Sequence, residues 1–144
     1  MKLKINNDTL VEDFFEHTCL FGIVAPVKKY LFTWHINQAM GYHFTINHNI
    51  EIQLTKKDRL YHFSIYEFAV KNTDMIHYLY NNEDDGEYLL PEFKHLDFLW
   101  LATGSTLAKE ETTALQQTLK LLPAVQLVTE LTNEKIKNKQ YLIF

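Results

Sequence analysis

The sequence of 144 residues has little of what marks an exported, membrane-spanning or disulfide-stabilised protein. Cys19 is the only cysteine, which excludes an internal disulfide and any multi-cysteine metal site. The richest apolar stretches, 19–26 and 96–102, are less than half of the roughly 20 residues that a membrane span needs. Residues 1–16 alternate charged and apolar positions and lack the apolar centre of a secretory signal. These absences predict a cytoplasmic protein that does not cross a membrane.

Glycine and proline are also scarce, with four and three residues, and this leaves few places for a flexible linker. Hydrophobic residues make up 47% of the chain and aromatic residues 14%, far more than disordered chains carry. A chain of this length buries roughly two-thirds of the surface that its unfolded form exposes. We therefore expect one domain over residues 1–144.

The net charge of the chain is −4, and its basic residues do not form a continuous stripe. They gather in two short clusters, at 56–59 and 135–139. Because nucleic-acid binding relies on lysines and arginines collected on one face, this pattern argues against a nucleic-acid partner. The acidic run 83–87 is typical of a solvent-exposed turn.

Apolar periodicity predicts the secondary structure. The nearly uninterrupted apolar runs at 20–24 and 96–102 indicate strands that are covered on both faces. Helical spacing predicts helices near 26–40 and 106–122, and we expect Trp34, Leu115 and Leu119 to be buried. Further strands are predicted at 2–6, 44–54, 60–68, 75–80, 125–128 and 141–144.

The order of these elements is close to β-α-β-β-β-β-α-β, which indicates an α+β fold. The two strand-helix-strand units resemble the split βαβ arrangement. We predict a mainly antiparallel sheet with two long helices packed on one face, ferredoxin-like or a variant of it.

The segment 90–98, with the sequence LPEFKHLDF, resembles the signature of the bacterial IPExxxVDY family. Phe98 stands where that signature has tyrosine, so it lacks the phenolic hydroxyl. The resemblance implies a compact cytoplasmic bacterial protein, and it brings no established activity, ligand or partner. The family-motif residues in this chain are Leu90, Pro91, Glu92, Leu96, Asp97 and Phe98.

Two interpretations of this motif are open. In the first, which we favour, Pro91 fixes a turn, Glu92 caps a backbone or pairs with a basic group, and Asp97 anchors backbone amides. In the second, Glu92, His95 and Asp97 line a pocket, where the carboxyl groups act as acid and base or share a cation.

Other residue sets carry weaker chemical signals. Zinc needs three or four converging ligands. The odd separation of His43 and His48 puts them on opposite faces of an uninterrupted strand, so they converge with His62 only if the strand contains a bulge. The segment 103–105 is typical of an ordinary helix cap rather than a phosphate-binding loop. Buried packing is the expected role of Cys19. It is also the expected role of the aromatic residues Tyr30, Phe32, Trp34 and Trp100. We predict no catalytic, cofactor-binding or metal-binding residue.

The absence of a catalytic constellation favours a non-enzymatic binding or regulatory module. An unidentified protein partner or a homodimer is predicted, because the strand at 60–68 and the segment 141–144 each suggest a sheet surface that a partner covers. The alternative is a small-ligand-binding protein or enzyme with a pocket near Glu92, His95 and Asp97. A third class, RNA binding, requires aromatic rings on an open sheet face. The candidates for such rings are Tyr61, Phe63 and Tyr66.

Overall fold

The computed structural model describes residues 11–105, 107–132, 136–137 and 139–144. Two α-helices of 12 residues, α1 and α2, span Lys29–Met40 and Lys109–Lys120, and residues 11–15 are also helical. The prediction of two long helices therefore holds only in part. The strands are β1 Thr18–Val24, β2 Thr45–Lys56, β3 Arg59–Ala69, β4 Ile76–Asn81, β5 Glu83–Asp84, β6 Glu87–Tyr88, β7 Phe98–Thr103 and β8 Leu127–Glu130.

Six strands form one sheet in the order β2-β3-β4-β7-β1-β8, and each neighbouring pair is antiparallel. Strands β5 and β6 form a separate hairpin. The central position of β1 and β7 agrees with their apolar sequences, because a strand with neighbours on both sides and layers on both faces has no solvent-facing positions. The predicted α+β class with a mainly antiparallel sheet is confirmed.

Both α-helices pack on the same face of the sheet, which we call the helix face. Phe32 and Ile36 of α1 join Leu115 and Leu119 of α2 in one buried cluster with alternate residues of β1 and β7, such as Trp100. Burial of the two leucines was predicted correctly.

Trp34, however, is 56% exposed, so its predicted burial is wrong. The buried stripe of α1 runs through Phe32 and Ile36, four residues apart, and a residue midway between such positions points to the opposite side of a helix. Tyr30 is exposed on this helix as well.

The opposite face of the sheet, the loop face, is covered mainly by irregular segments. Its core joins Leu20, Leu99 and Leu101 of the central strands to Leu89, Leu90 and Leu96 of the loop that follows β4, and to Ile136 and Leu142 near the C-terminal end. The prediction that the central strands are covered on both faces is confirmed. Tyr61 and Phe63 lie in this core, and Tyr66 packs against the helix-face cluster, so these rings do not form an open aromatic surface.

Several predicted boundaries need correction. The segment 141–144 does not form an edge strand, because Lys139–Leu142 is a 3-10 turn. The buried Tyr80 hydroxyl holds this turn in place by donating a hydrogen bond to the Leu142 carbonyl at 2.8 Å. Helix α1 begins at Lys29, because a tight turn precedes it. It ends at Met40, and Gly41, the predicted stop, follows in the left-handed conformation. The strand predicted at 2–6 lies outside the described residues. In the part of the chain that is described, no helix has the length and apolarity to span a membrane.

Candidate functional site

The motif segment belongs to a loop over residues 82–97, the motif loop, which packs on the loop face. Leu90 and Leu96 are fully buried, and Pro91 begins a short 3-10 turn over Pro91–Phe93. Leu96 lies so close to Gly22 of β1 that a Cβ atom at that position would overlap its side chain. Gly22 is therefore the reason that the loop can pack closely on β1 within an otherwise apolar run.

A residue outside the motif, Asn82, organises this loop. Its fully buried side-chain amide donates to the carbonyls of Phe93 and Leu96 at 3.1 and 2.8 Å, and its Oδ1 accepts from the Leu90 amide at 2.9 Å. Its backbone donates to the Asp97 carbonyl and accepts from the Leu89 amide. Because buried backbone groups need partners, the Asn82 side chain supplies hydrogen bonds that the short hairpin and the 3-10 turn of this loop do not supply. Sequence reasoning did not identify it.

The two motif carboxylates hold different segments of the backbone. Asp97 Oδ2 accepts from the Ala25 amide at 2.8 Å, and the Asp97 amide donates to the Ile23 carbonyl at 2.8 Å. Asp97 therefore holds one backbone amide, which lies just past the end of β1 and not at the start of its own strand, where the sequence placed such amides. Glu92 Oε2 accepts from the Lys137 amide at 2.8 Å, which connects the motif loop to the C-terminal segment. Phe98 stacks on Phe32 with the ring centroids 4.5 Å apart, so the position without a hydroxyl belongs to the helix-face core.

A cleft of about 570 Å³ lies beside Asp97, but neither Glu92 nor His95 lines it. The hypothesis of one pocket shared by these three residues is therefore not supported by the geometry, because Asp97 and Glu92 are directed to different backbone segments. This cleft lies between the start of α1 and the hairpin β5–β6. It is lined by Pro26, Val27, Lys28, Lys29, Tyr30, Asn81, Glu83, Asp84, Asp85, Tyr88, Asp97 and Phe98.

The acidic side chains of this cleft already have partners within the protein. Asp84 Oδ2 accepts from the His62 amide at 3.0 Å, Asp85 pairs with Arg59, and Glu83 Oε2 accepts from the Gly86 amide. The acidic turn therefore docks on the basic turn between β2 and β3. The Arg59 and Asp85 side chains are 56% and 62% exposed, so solvent weakens their attraction, and the hydrogen bond from the His62 amide to Asp84 also connects the hairpin to the sheet.

The remaining candidates from the sequence have structural explanations. His62 Nδ1 lies 3.1 Å from Glu51 Oε1, and no group of three or more metal-ligating side chains occurs among residues 11–105, 107–132, 136–137 and 139–144. Burial, with a contribution from Glu130, raises the pKa of Cys19 to about 12, so its thiol is protonated at neutral pH. The Ser105 amide donates to Asp74 Oδ2 at 2.9 Å.

A second cleft, of about 610 Å³, lies on the helix face between β4 and α2, and sequence reasoning missed it. We call it the His77 cleft. Apolar side chains predominate in its wall, with His77 of β4 at its inner end. The lining residues are Met40, Tyr42, Val70, Thr73, Met75, His77, Leu107, Glu111, Ala114, Leu115 and Thr118.

His77 is only 4% exposed, and burial lowers its pKa to about 4, so its ring is neutral at pH 7. The Trp100 indole Nε1 donates to His77 Nδ1 at 3.0 Å, which leaves the ring proton on Nε2. No residue in the described ranges accepts a hydrogen bond from Nε2, although every fully buried side-chain nitrogen and oxygen there has a partner. We conclude that Nε2 reaches the open volume of the cleft.

Aromatic packing fixes the orientation of His77. Its ring stacks on Phe68, with the planes 12° apart, and lies 5.3 Å from the ring of Tyr42. Burial raises the pKa of Tyr42, so its hydroxyl stays protonated at neutral pH, and this hydroxyl has no hydrogen bond within the described part of the chain. The cleft thus holds two uncharged donors, a ring N–H and a phenolic O–H.

No protein-family model, curated protein or solved structure matches this chain. The resemblance to the IPExxxVDY family remains a prediction that rests on residues 90–98.

Proposed function

We propose that this protein is a non-enzymatic binding module that holds a small, largely apolar molecule in the His77 cleft. The observation that carries the proposal is the Nε2–H group of His77, a donor on a nearly inaccessible side chain that faces an apolar cleft and has no acceptor among the described residues. A ligand oxygen that accepts this hydrogen bond adds about 0.5–1.5 kcal/mol to the free energy of binding, beyond the apolar contact.

Binding is favoured over catalysis by the chemistry of the same residue. A general base works best with a pKa near the working pH, and burial holds the pKa of His77 at about 4. Its Nδ1 lone pair, moreover, is occupied by the Trp100 indole. The ring is suited to donate one fixed hydrogen bond rather than to exchange protons.

A fluorescent dye tests whether the cleft takes up an apolar molecule. Nile red, which is uncharged and fluoresces in apolar surroundings, should bind the wild-type protein with an increase in emission. Ala114 lines the cleft from an exposed position of α2, so Ala114→Phe should fill the cleft and reduce binding at least several-fold. Thr113→Phe, one position away on α2 and outside the lining, is the matched control. Equal dye binding by both variants would refute the proposal.

We also propose that the fold is a ferredoxin-like variant. When the β2–β3 hairpin is set aside, the main sheet follows the chain order β-α-β-β-α-β through β1, α1, β4, β7, α2 and β8. Strand β7 separates β1 from β4, and β1 separates β7 from β8. Each strand-helix-strand unit is therefore split by one strand, which is the arrangement that defines this class. One domain in a cytoplasmic location remains part of the same proposal.

Self-association and a protein partner remain predictions. The segments that suggested them are occupied inside the fold only in part. Tyr61 and Phe63 are buried and the Phe144 ring lies 4.8 Å from Tyr78, whereas Leu60 and Phe144 themselves remain exposed. Light scattering at micromolar concentration should give about twice 17.1 kDa for a dimer. A constant monomer mass across a dilution series would contradict self-association.

A further inference from the structure

We infer that the His77 cleft selects an uncharged molecule that presents a hydrogen-bond-accepting oxygen, such as a ketone, ester or amide, on an apolar body. This inference rests on the proposed function and adds the class of ligand. Three properties of the cleft support it: the kind of polar group at its inner end, the charge at its rim, and the apolar character of its wall.

The polar groups that His77 and Tyr42 offer to a ligand are hydrogen-bond donors. His77 Nε2 carries a proton because Nδ1 accepts from the Trp100 indole, and the Tyr42 hydroxyl has no acceptor within the described residues. The centroids of the two rings lie 5.3 Å apart. A carbonyl oxygen has two lone pairs, so it has the capacity to accept more than one hydrogen bond.

The charges around the cleft disfavour an anionic ligand. Glu111 is the only charged side chain among the lining residues, which include no lysine or arginine. His77 supplies no positive charge at neutral pH. A carboxylate ligand would therefore lose its hydration without gaining a counter-ion, and it would face the charge of Glu111. A cationic ligand would pair with Glu111 but would leave the donors of His77 and Tyr42 without an acceptor.

The wall of the cleft fits the apolar part of such a ligand. Met40, Met75, Leu107 and Leu115 line it, and methionine side chains adapt to ligands of different shape because they are unbranched and polarisable. A site of this kind binds through apolar contact and sets orientation through a few polar groups.

A matched set of three probes tests the inference. Acetophenone carries a carbonyl oxygen, α-methylstyrene replaces that oxygen with a methylene group of similar shape, and benzoate carries a negative charge. Each is titrated into ¹⁵N-labelled protein, and binding is followed by the backbone amide signals of cleft residues and by the Trp100 indole N–H signal. Trp34→Phe assigns that indole signal, because the chain has two tryptophans.

We expect acetophenone to bind roughly tenfold more tightly than either of the other probes, since one to two hydrogen bonds are at stake. Tyr42→Phe should reduce this preference. His77→Asn should also reduce it, because asparagine can still accept from Trp100 but lacks the Nε2–H donor. Tyr30→Phe, which alters an exposed tyrosine outside the cleft, should leave it unchanged.

The possible failures are distinguishable. If α-methylstyrene binds as tightly as acetophenone, or benzoate binds more tightly, the ligand class is wrong, although the cleft still binds apolar molecules. If Tyr42→Phe and His77→Asn both fold and keep the full preference for the ketone, the assignment of the donors is wrong. If none of the three probes shifts the cleft signals, and Nile red fails too, then both the inference and the proposed function are wrong.

Discussion

Two buried polar residues, Asn82 and His77, have different roles in this protein. Asn82 uses both amide protons and its oxygen on the backbone of the motif loop. His77 uses one ring nitrogen on Trp100 and directs the other to a cleft. Both are almost inaccessible to solvent, so burial alone does not separate them. What separates them is whether their hydrogen-bonding capacity is satisfied inside the protein: Asn82 stabilises the fold, whereas His77 remains able to bind a ligand.

The largest effect that tests this comparison is expected from Asn82→Ala. The substitution leaves the Leu90 amide and the Leu96 carbonyl without a partner in the interior, whereas the Phe93 carbonyl still accepts from the Leu96 amide. We expect the free energy of unfolding to fall by about 3 kcal/mol or more, since each such group costs about 1–3 kcal/mol. Urea denaturation measures the loss. Asn82→Asp, which keeps an acceptor for Leu90 but loses both donors, should also be destabilised. A loss below about 1 kcal/mol for both variants would mean that the loop does not depend on Asn82.

Acid should destabilise the protein through His77. Its pKa is about 4 when folded and about 6.5 in an unfolded chain, so the unfolded state binds the proton more strongly between these values. The contribution of neutral His77 to the free energy of unfolding is complete above pH 6.5. It falls by about 3 kcal/mol as the pH decreases to 4.

The control for this pH dependence is His77→Asn, which does not titrate. The difference in unfolding free energy between the wild type and this variant should shrink by about 3 kcal/mol between pH 7 and pH 4. Thermal or urea unfolding across that range measures it. A difference that stays constant with pH would show that His77 takes up its proton without cost in the folded protein.

Asp97→Ala should have an intermediate effect, because it removes one acceptor in a partly buried position. The Ala25 amide would lose its partner at the end of β1. We expect a loss of about 1–3 kcal/mol in the free energy of unfolding. Asp97→Asn, which keeps an oxygen at the same place, should lose less. A fully stable Asp97→Ala protein that had lost a ligand or partner would assign the motif to function instead.

The smallest effect on stability is expected from Tyr42→Phe. Its hydroxyl has no partner in the described part of the protein, so its removal breaks no hydrogen bond. We expect the free energy of unfolding to change by no more than about 0.5 kcal/mol, while ligand selectivity falls as described above. Thermal unfolding gives the first quantity and the probe titrations give the second. A loss above about 1 kcal/mol would indicate that the hydroxyl has a structural partner after all.

The sequence predicted the parts of the fold where one physical signal dominates. The apolar runs of β1 and β7 have no polar alternation, and they form the centre of a sheet that is covered on both faces. The positions of Leu115 and Leu119 gave the buried side of α2 correctly. The burial of Trp34 was predicted wrongly, because an aromatic ring at helical spacing fits either side of α1. The buried side of α1 is determined by the tertiary contacts of Phe32 and Ile36.

The candidate sites were harder to predict, because their residues are far apart in sequence. The motif pointed to the correct loop and to Asp97, but Asn82 looked like an ordinary turn residue beside an acidic run. His77 did carry a signal, since it alternates with Tyr78 and shares its side of β4 with Leu79. That pattern places a histidine on a buried face. Nothing in the sequence shows that Trp100 would occupy one of its nitrogens and that α2 would leave the other uncovered.

The position of β1 in the sheet also determines the order in which the fold can be completed. Strands β2, β3 and β4 follow one another along the chain and pair through short connections, so they are able to associate early. Strand β1 instead lies between β7 and β8, which come from the last third of the sequence. Contacts between distant parts of a chain form slowly, because a long loop must close first. During synthesis β1 therefore has neither of its sheet neighbours until residues 98–103 have left the ribosome.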